Sequence, residues 1–82
     1  MAKLDLEWLT VFDEIFRTAS VSKAAERLGM SQAAASTALI KLRAHYGDTL
    51  FSRTARGMLP TPYAEAIQPL LRTVLEHLEQ AR

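Results

Sequence analysis

Two serines, Ser20 and Ser31, each stand before a run of helical apolar spacing, and a glycine closes each run, at Gly29 and Gly47. This punctuation constrains the chain more than any other feature. A serine hydroxyl at a helix N-cap accepts a hydrogen bond from the free backbone N–H groups of the first turn. A glycine just past a helix takes the left-handed conformation that ends it. Val21, Ala24, Ala25 and Leu28 form the apolar stripe of the first run; Ala35, Ala38, Leu39, Leu42 and Tyr46 form that of the second. Met30 alone separates Gly29 from Ser31, so the two helices meet at a tight turn. A short helix, a glycine turn and a capped second helix make the layout of a helix-turn-helix. Helices that cross steeply need small residues at the contact, and Ala24 and Ala25 supply them.

The flanks complete a mainly α architecture. Leu4, Trp8, Leu9, Phe12, Ile15, Phe16 and Ala19 recur in steps of three and four, one helical stripe with Glu7, Asp13, Glu14 and Arg17 off it. Asp13 and Glu14 adjoin on that helix and read as a solvated face. After Gly47 the period changes. Residues 49–54 read as a short strand, Ala55, Arg56 and Gly57 as a turn, and Met58, Leu59 and Pro60 as a return strand. Pro60 has no N–H and belongs at a strand end or edge. Thr61 caps a last helix with Pro62 at its first position, and Pro69 inside that helix predicts a kink or a break. The expected fold is a winged helix-turn-helix: a three-helix core, a two-stranded wing and a long C-terminal helix.

Composition narrows the function classes. The chain has 82 residues and no cysteine, which excludes disulfides and thiolate metal sites. At 49% hydrophobic and 23% charged it is too apolar for a disordered tail. No apolar run approaches a membrane span, and the acidic start MAKLDLEWL does not fit a signal peptide. A cytoplasmic domain with no membrane partner is expected. His45 and His77 have no carboxylate or cysteine at ligand spacing, so neither metal nor cofactor is expected. Ser36, His45 and Asp48 are triad residue types without a nucleophile turn or oxyanion hole. No phosphate-cradling glycine loop occurs. The chain is not expected to be an enzyme.

The formal charge is only +1, but it is unevenly spread. Residues 1–20 carry a net −2, 21–30 a net +1, and 61–82 a net −1. Residues 31–60 carry +3, from Lys41, Arg43, Arg53 and Arg56 against Asp48. A polyanion would meet the middle of the chain. There the second helix of the motif turns outward Gln32, Ala33, Ser36, Thr37 and Ile40, with Lys41 beside them, and no acid occurs from Ser31 to Ala44. Such a face suits a major groove. Gln pairs bidentately with adenine, Ser with either kind of base edge, and Ala or Ile meets a thymine methyl. The same residues also suit a plain helix, or a protein partner met by a winged fold without specific DNA readout. Arg53 and Arg56 flank the hairpin, where arginines can touch phosphates or a narrow minor groove; the plain alternative is that two exposed arginines simply aid solubility. Lys41 and Arg43 are candidate phosphate contacts, and Arg43 could instead pair with Asp48.

These residues resemble a known family. The stretch from Ser20 through Lys23-Ala24-Ala25-Glu26-Arg27-Leu28-Gly29 to Ser31-Gln32, then Leu50-Phe51-Ser52-Arg53-Thr54 and Gly57-Met58-Leu59-Pro60-Thr61, look like LysR-type transcriptional regulators across essentially the whole chain. Leu42-Arg43 and Pro60-Thr61-Pro62-Tyr63-Ala64 look most like the branch of nodulation and aromatic-degradation regulators. The resemblance implies the DNA-binding domain of a bacterial regulator: residues 1–60 as the winged unit and 61–82 as a linker helix that dimerises. It also implies that Ser31 and Gln32 open the reading helix, that Ser36 faces the groove and that Arg53 is the wing arginine. Ala33 stands where the family usually has proline, Thr37 where Arg or Asn is common, and Ile40 where a polar or basic residue is common. Base preference therefore does not carry over. The family's effector-binding domain is expected to be absent from this chain, which would bind no small-molecule effector itself.

Ile67, Leu70 or Leu71, Val74 and Leu78 repeat as a coiled-coil seam does. The expected partners are double-stranded DNA and a second copy of the chain, joined through this last helix.

Overall fold

A computed structural model describes residues 4–81, so Lys3 and Arg82 of the charge reading lie outside the described residues. The order is α1 (Leu6–Thr18), α2 (Val21–Leu28), α3 (Gln32–Tyr46), β1 (Phe51–Thr54), β2 (Gly57–Pro60) and α4 (Pro62–Gln80). Each expected cap is in place. Ser20 Oγ accepts from Lys23 N–H at 3.1 Å, Ser31 Oγ from Ala34 at 3.0 Å, and Thr61 Oγ1 from Ala64 at 3.1 Å. Gly29 and Gly47 close α2 and α3 at φ of 68° and 65°.

The core lies where α1, α2 and α3 meet, with α4 laid along α1. Its largest fully buried side chains are Phe12, Phe51, Ile15, Leu42, Leu50 and Val11. Val11 falls outside the apolar stripe read from the sequence. It is buried because α1 is enclosed on more than one side. Ala24 and Ala25 are buried at the α2 contact. Phe51 reaches from β1 into an aromatic cluster on α1, with ring centroids 5.2 Å from Phe12 and 6.4 Å from Phe16.

The same enclosure corrects the reading of Asp13 and Glu14. They are 6% and 8% exposed, not a solvated face. Buried carboxylates need paired donors, and arginines on the neighbouring helices supply them. Arg72 Nη1 of α4 reaches Asp13 at 2.6 Å, and Arg27 Nε of α2 reaches Glu14 at 2.8 Å. Arg17 Nε adds a contact to Asp13 at 3.3 Å.

The hairpin is tighter than expected. Its strand begins at Phe51 rather than at residue 49, because Leu50 adopts a left-handed φ of 65° that no strand residue takes. Asp48 Oδ1 holds that conformation by accepting the Leu50 N–H at 2.8 Å and the Thr61 hydroxyl at 2.8 Å. Thr54 pairs with Gly57, Arg53 with Met58, Ser52 with Leu59 and Phe51 with Pro60. Beyond this register, Thr61 N–H donates to Leu50 C=O at 2.8 Å. Bonded and unbonded pairs alternate in an antiparallel ladder, so the Phe51–Pro60 pair exchanges no hydrogen bond. Pro60 therefore removes nothing from the ladder, and the Phe51 carbonyl points away from β2.

The wing is pinned close to its turn. Met58 N–H donates to Ala19 C=O at 2.8 Å. Gly57 sits at φ 103°, and a Cβ there would lie 2.5 Å from the same Ala19 oxygen. The last helix is unbroken from Pro62 to Gln80, so Pro69 does not break it. Pro69 is exposed and removes only its own intrahelical donor.

Candidate nucleic-acid interface

Ser31, itself in extended backbone, caps α3 just after the turn. Ala35, Ala38, Leu39 and Leu42 bury its inner face. The opposite face follows from helical spacing. Gln32, Ala33, Thr37, Ile40 and Lys41 are exposed there, and Ser36 is half-buried. Ile40 is 60% exposed, a large apolar side chain held in water on an otherwise small and polar surface. The α3 helix contains no acidic residue. Gln32 makes no side-chain hydrogen bond among the described residues, so both its donor and its acceptor are available. Ser31 Oγ is occupied as an acceptor by Ala34 and keeps its proton to donate.

Arg53 and Arg56 are exposed on the hairpin, Arg56 in its two-residue turn. Thr54 Oγ1 accepts the Arg56 N–H at 3.1 Å and donates to Gly57 C=O at 2.9 Å, which fixes the turn. Register places Arg53 opposite the buried Met58. It is nevertheless exposed, because only Phe51 in β1 lies within the core and the strand then runs out past it.

Arg43 is committed within the protein. It makes no ion pair with Asp48, which is engaged by Leu50 and Thr61. Its Nε donates to Thr49 C=O at 2.7 Å and one Nη to Phe51 C=O at 3.0 Å. The guanidinium therefore points into the α3–β1 junction, and its availability to phosphate is reduced to the remaining donors. In sequence it is indistinguishable from any exposed helix arginine. The Asp48–Thr61 bond was missed for the same reason, since an Asp after a glycine is a common turn residue.

The predicted seam on α4 divides. Leu71 is 8% exposed and belongs to the domain's own core, which corrects its placement among pairing residues. Ile67 and Leu75 are half-buried against that core. Leu70, Val74 and Leu78 are exposed at 66%, 43% and 39%, and they share one face by steps of four. His45 and His77 are exposed on α3 and α4. The Tyr46 ring lies 4.8 Å from His45 and 5.9 Å from Tyr63. Burial, then the neighbouring Tyr63, pushes its hydroxyl above the usual tyrosine range. Glu14 raises the already high value of Arg27, so that arginine is charged at any working pH. Among the described residues no group of His, Cys, Asp and Glu could hold a metal ion, and no helix is long and apolar enough to cross a membrane.

A tight two-helix motif on α1, with a two-stranded hairpin beside its second helix, defines a winged helix-turn-helix domain. The model of the bacterial regulatory helix-turn-helix proteins of the lysR family matches residues 6–65, and the chain belongs to that family. Nodulation protein D 1 of Rhizobium meliloti (strain 1021) is 41% identical over 76 residues, which is 93% of this chain and 25% of that protein. The chain thus spans about a quarter of the length of such relatives. The probable transcriptional regulator PA0477 from Pseudomonas aeruginosa has the same fold, with a TM-score of 0.90 at 38% identity over 95% of this chain and 26% of that one. The CbnR DBD in complex with DNA gives a TM-score of 0.86 at 26% identity, covering 94% of this chain and 88% of that one.

Proposed function

We propose that this domain binds double-stranded DNA sequence-specifically as a homodimer and so regulates transcription in a bacterial cytoplasm, a task of binding rather than catalysis. The observation that carries this is the outer face of α3: small, hydrogen-bonding and methyl-bearing side chains, no acid, and arginines on the adjacent wing. The solved DNA complex of a domain with the same fold supports it.

In this reading α3 enters the major groove. Gln32 pairs with a base edge, Ser31 and Ser36 donate hydroxyl protons, and Ala33, Thr37 and Ile40 meet methyl groups. Lys41, Arg53 and Arg56 contact phosphates or the minor-groove edge, while Arg43 stays turned to the Thr49 and Phe51 carbonyls. Residues 1–60 form the reading unit, and residues 61–82 carry the pairing helix. Leu70, Val74 and Leu78, with the flank of Ile67, meet the same residues of a second copy. Two reading helices then address half-sites about 34–36 Å apart on one face of the duplex.

The test is selection of bound sequences from a random duplex pool. The expected product is a symmetric site with two half-sites about one helical turn, or a multiple of it, apart. A pool that shows no enrichment would favour a protein-binding role for the winged fold and overturn the proposal.

A further inference from the structure

The two hydrogen bonds that α3 side chains make to the segment leading into the wing, among the described residues, both come from Arg43. They reach two carbonyls, Thr49 before the strand and Phe51 at its first residue. The Phe51 carbonyl is available because its pair with Pro60 exchanges no ladder bond. A planar guanidinium can serve two separated acceptors at once from a fixed fork, whereas an ammonium acts as a point donor.

The surroundings show why such a tie matters. The hairpin is anchored to α1 by Phe51 packing against Phe12 and by the Met58–Ala19 hydrogen bond. Below the hairpin, the Thr61–Asp48 bond ties the cap of α4 to the segment that precedes β1. Asp48 is held to the last turn of α3 by its own N–H, which donates to the Arg43 carbonyl at 3.3 Å, but none of these bonds joins α3 to β1 itself. A protein that uses α3 and the wing on one duplex needs their relative placement fixed, since phosphate contacts set register.

We propose that Arg43 is a positioning residue for the wing: it couples the orientation of β1, and hence of Arg53, to the reading helix instead of contacting DNA itself. The proposal rests on the DNA-reading role of α3. It also makes a claim about the free protein that does not depend on that role.

The test uses Arg43→Lys, Arg43→Met, Arg53→Ala and the Arg43→Lys/Arg53→Ala double variant. In the free protein, amide relaxation and residual dipolar couplings should show a reoriented or more mobile wing at Ser52–Leu59 in both Arg43 variants, with α2 and α3 unchanged. On a duplex chosen by selection, Arg43→Lys should lose affinity by about tenfold at ~0.1 M salt, the electrostatic share of one phosphate contact, although the charge is kept. In the Arg53→Ala background the same change should cost little further affinity, because the contact it positions is already gone. A merely structural arginine would lower thermal stability without this coupling. Arg43→Lys binding like the wild type, with Arg43→Met flattening the salt slope by about one unit in both backgrounds, would mark a direct phosphate contact and overturn the proposal. A wing with unchanged order and orientation in both Arg43 variants would overturn it too. A wild-type protein that binds no duplex would instead refute the DNA reading and its affinity half, leaving the wing measurement to decide whether Arg43 positions β1.

Discussion

Arg72 on α4 donates from Nη1 to Oδ2 of Asp13 on α1 at 2.6 Å, and the Asp13 side chain is 8% exposed. This pair fastens the last helix to the first across 59 positions of sequence. The last helix is therefore part of the domain and not a free extension of it.

Removing the arginine leaves a buried carboxylate with only the more distant Arg17 at 3.3 Å. Arg72→Ala is expected to lower stability by about 2–3 kcal/mol, since breaking a buried pair exposes the cost of the charge left behind. Glu76→Ala, which removes only the exposed partner of Arg72 at 3.5 Å, should cost less than about 0.5 kcal/mol. Urea denaturation of the two variants checks the contrast; equal losses would contradict it.

Gly57 is a second place where one atom decides. An added Cβ would meet Ala19 O at 2.5 Å, on a backbone with φ 103°. Gly57→Ala should destabilise by about 2 kcal/mol or more, through strain and loss of the Met58–Ala19 bond. Gly29→Ala, where an added Cβ has nothing within 4 Å, should cost only about 1 kcal/mol, the penalty of a left-handed alanine. Thermal unfolding of the two variants separates steric from purely conformational cost.

Leu70, at 66% exposure, is the most exposed of the large hydrophobic residues on α4. Leu70→Glu should leave the domain folded and abolish dimerisation, which sedimentation equilibrium reads directly. Leu71→Ala should instead destabilise each domain by about 2 kcal/mol or more, because that side chain is in the core. A wild-type chain that stays monomeric at high micromolar concentration would remove the pairing role from α4.

Gln32 carries the most specific hydrogen-bonding potential on α3. Gln32→Ala should cost about 1–3 kcal/mol on the selected site and relax preference at a single position. Repeating the selection with the variant tests this, and an unchanged ranking of sites would take base reading away from Gln32.

Much of the fold was legible because it is written locally. Ser20, Gly29, Ser31, Gly47 and Thr61 each act within one helical turn, and all five sit where their caps require. The outward face of α3 was legible for the same reason, since helical spacing follows directly from residue order. What was not legible depended on distant partners. Asp13 and Glu14 looked solvated because Arg72 and Arg27 lie on other helices. The bonds of Arg43 were not legible because nothing in its neighbourhood announces the outward Phe51 carbonyl, which depends on hairpin register. Leu71 and Leu70 are adjacent and chemically identical, and only the angle at which α4 lies on α1 tells core from surface. Leu50 shifted the start of β1 through a left-handed backbone that its side chain gives no sign of.

In the proposed function, α3 and the wing form one duplex-binding face. A titration of the isotope-labelled domain with a selected duplex, followed by amide and side-chain NMR shifts, tests it most directly. The largest perturbations are expected at Ser31–Lys41, including the Gln32 side-chain amide, and at Arg53–Arg56, weakening steeply as salt is added. Perturbations confined to α1 or α4, or none at any duplex concentration, would contradict it.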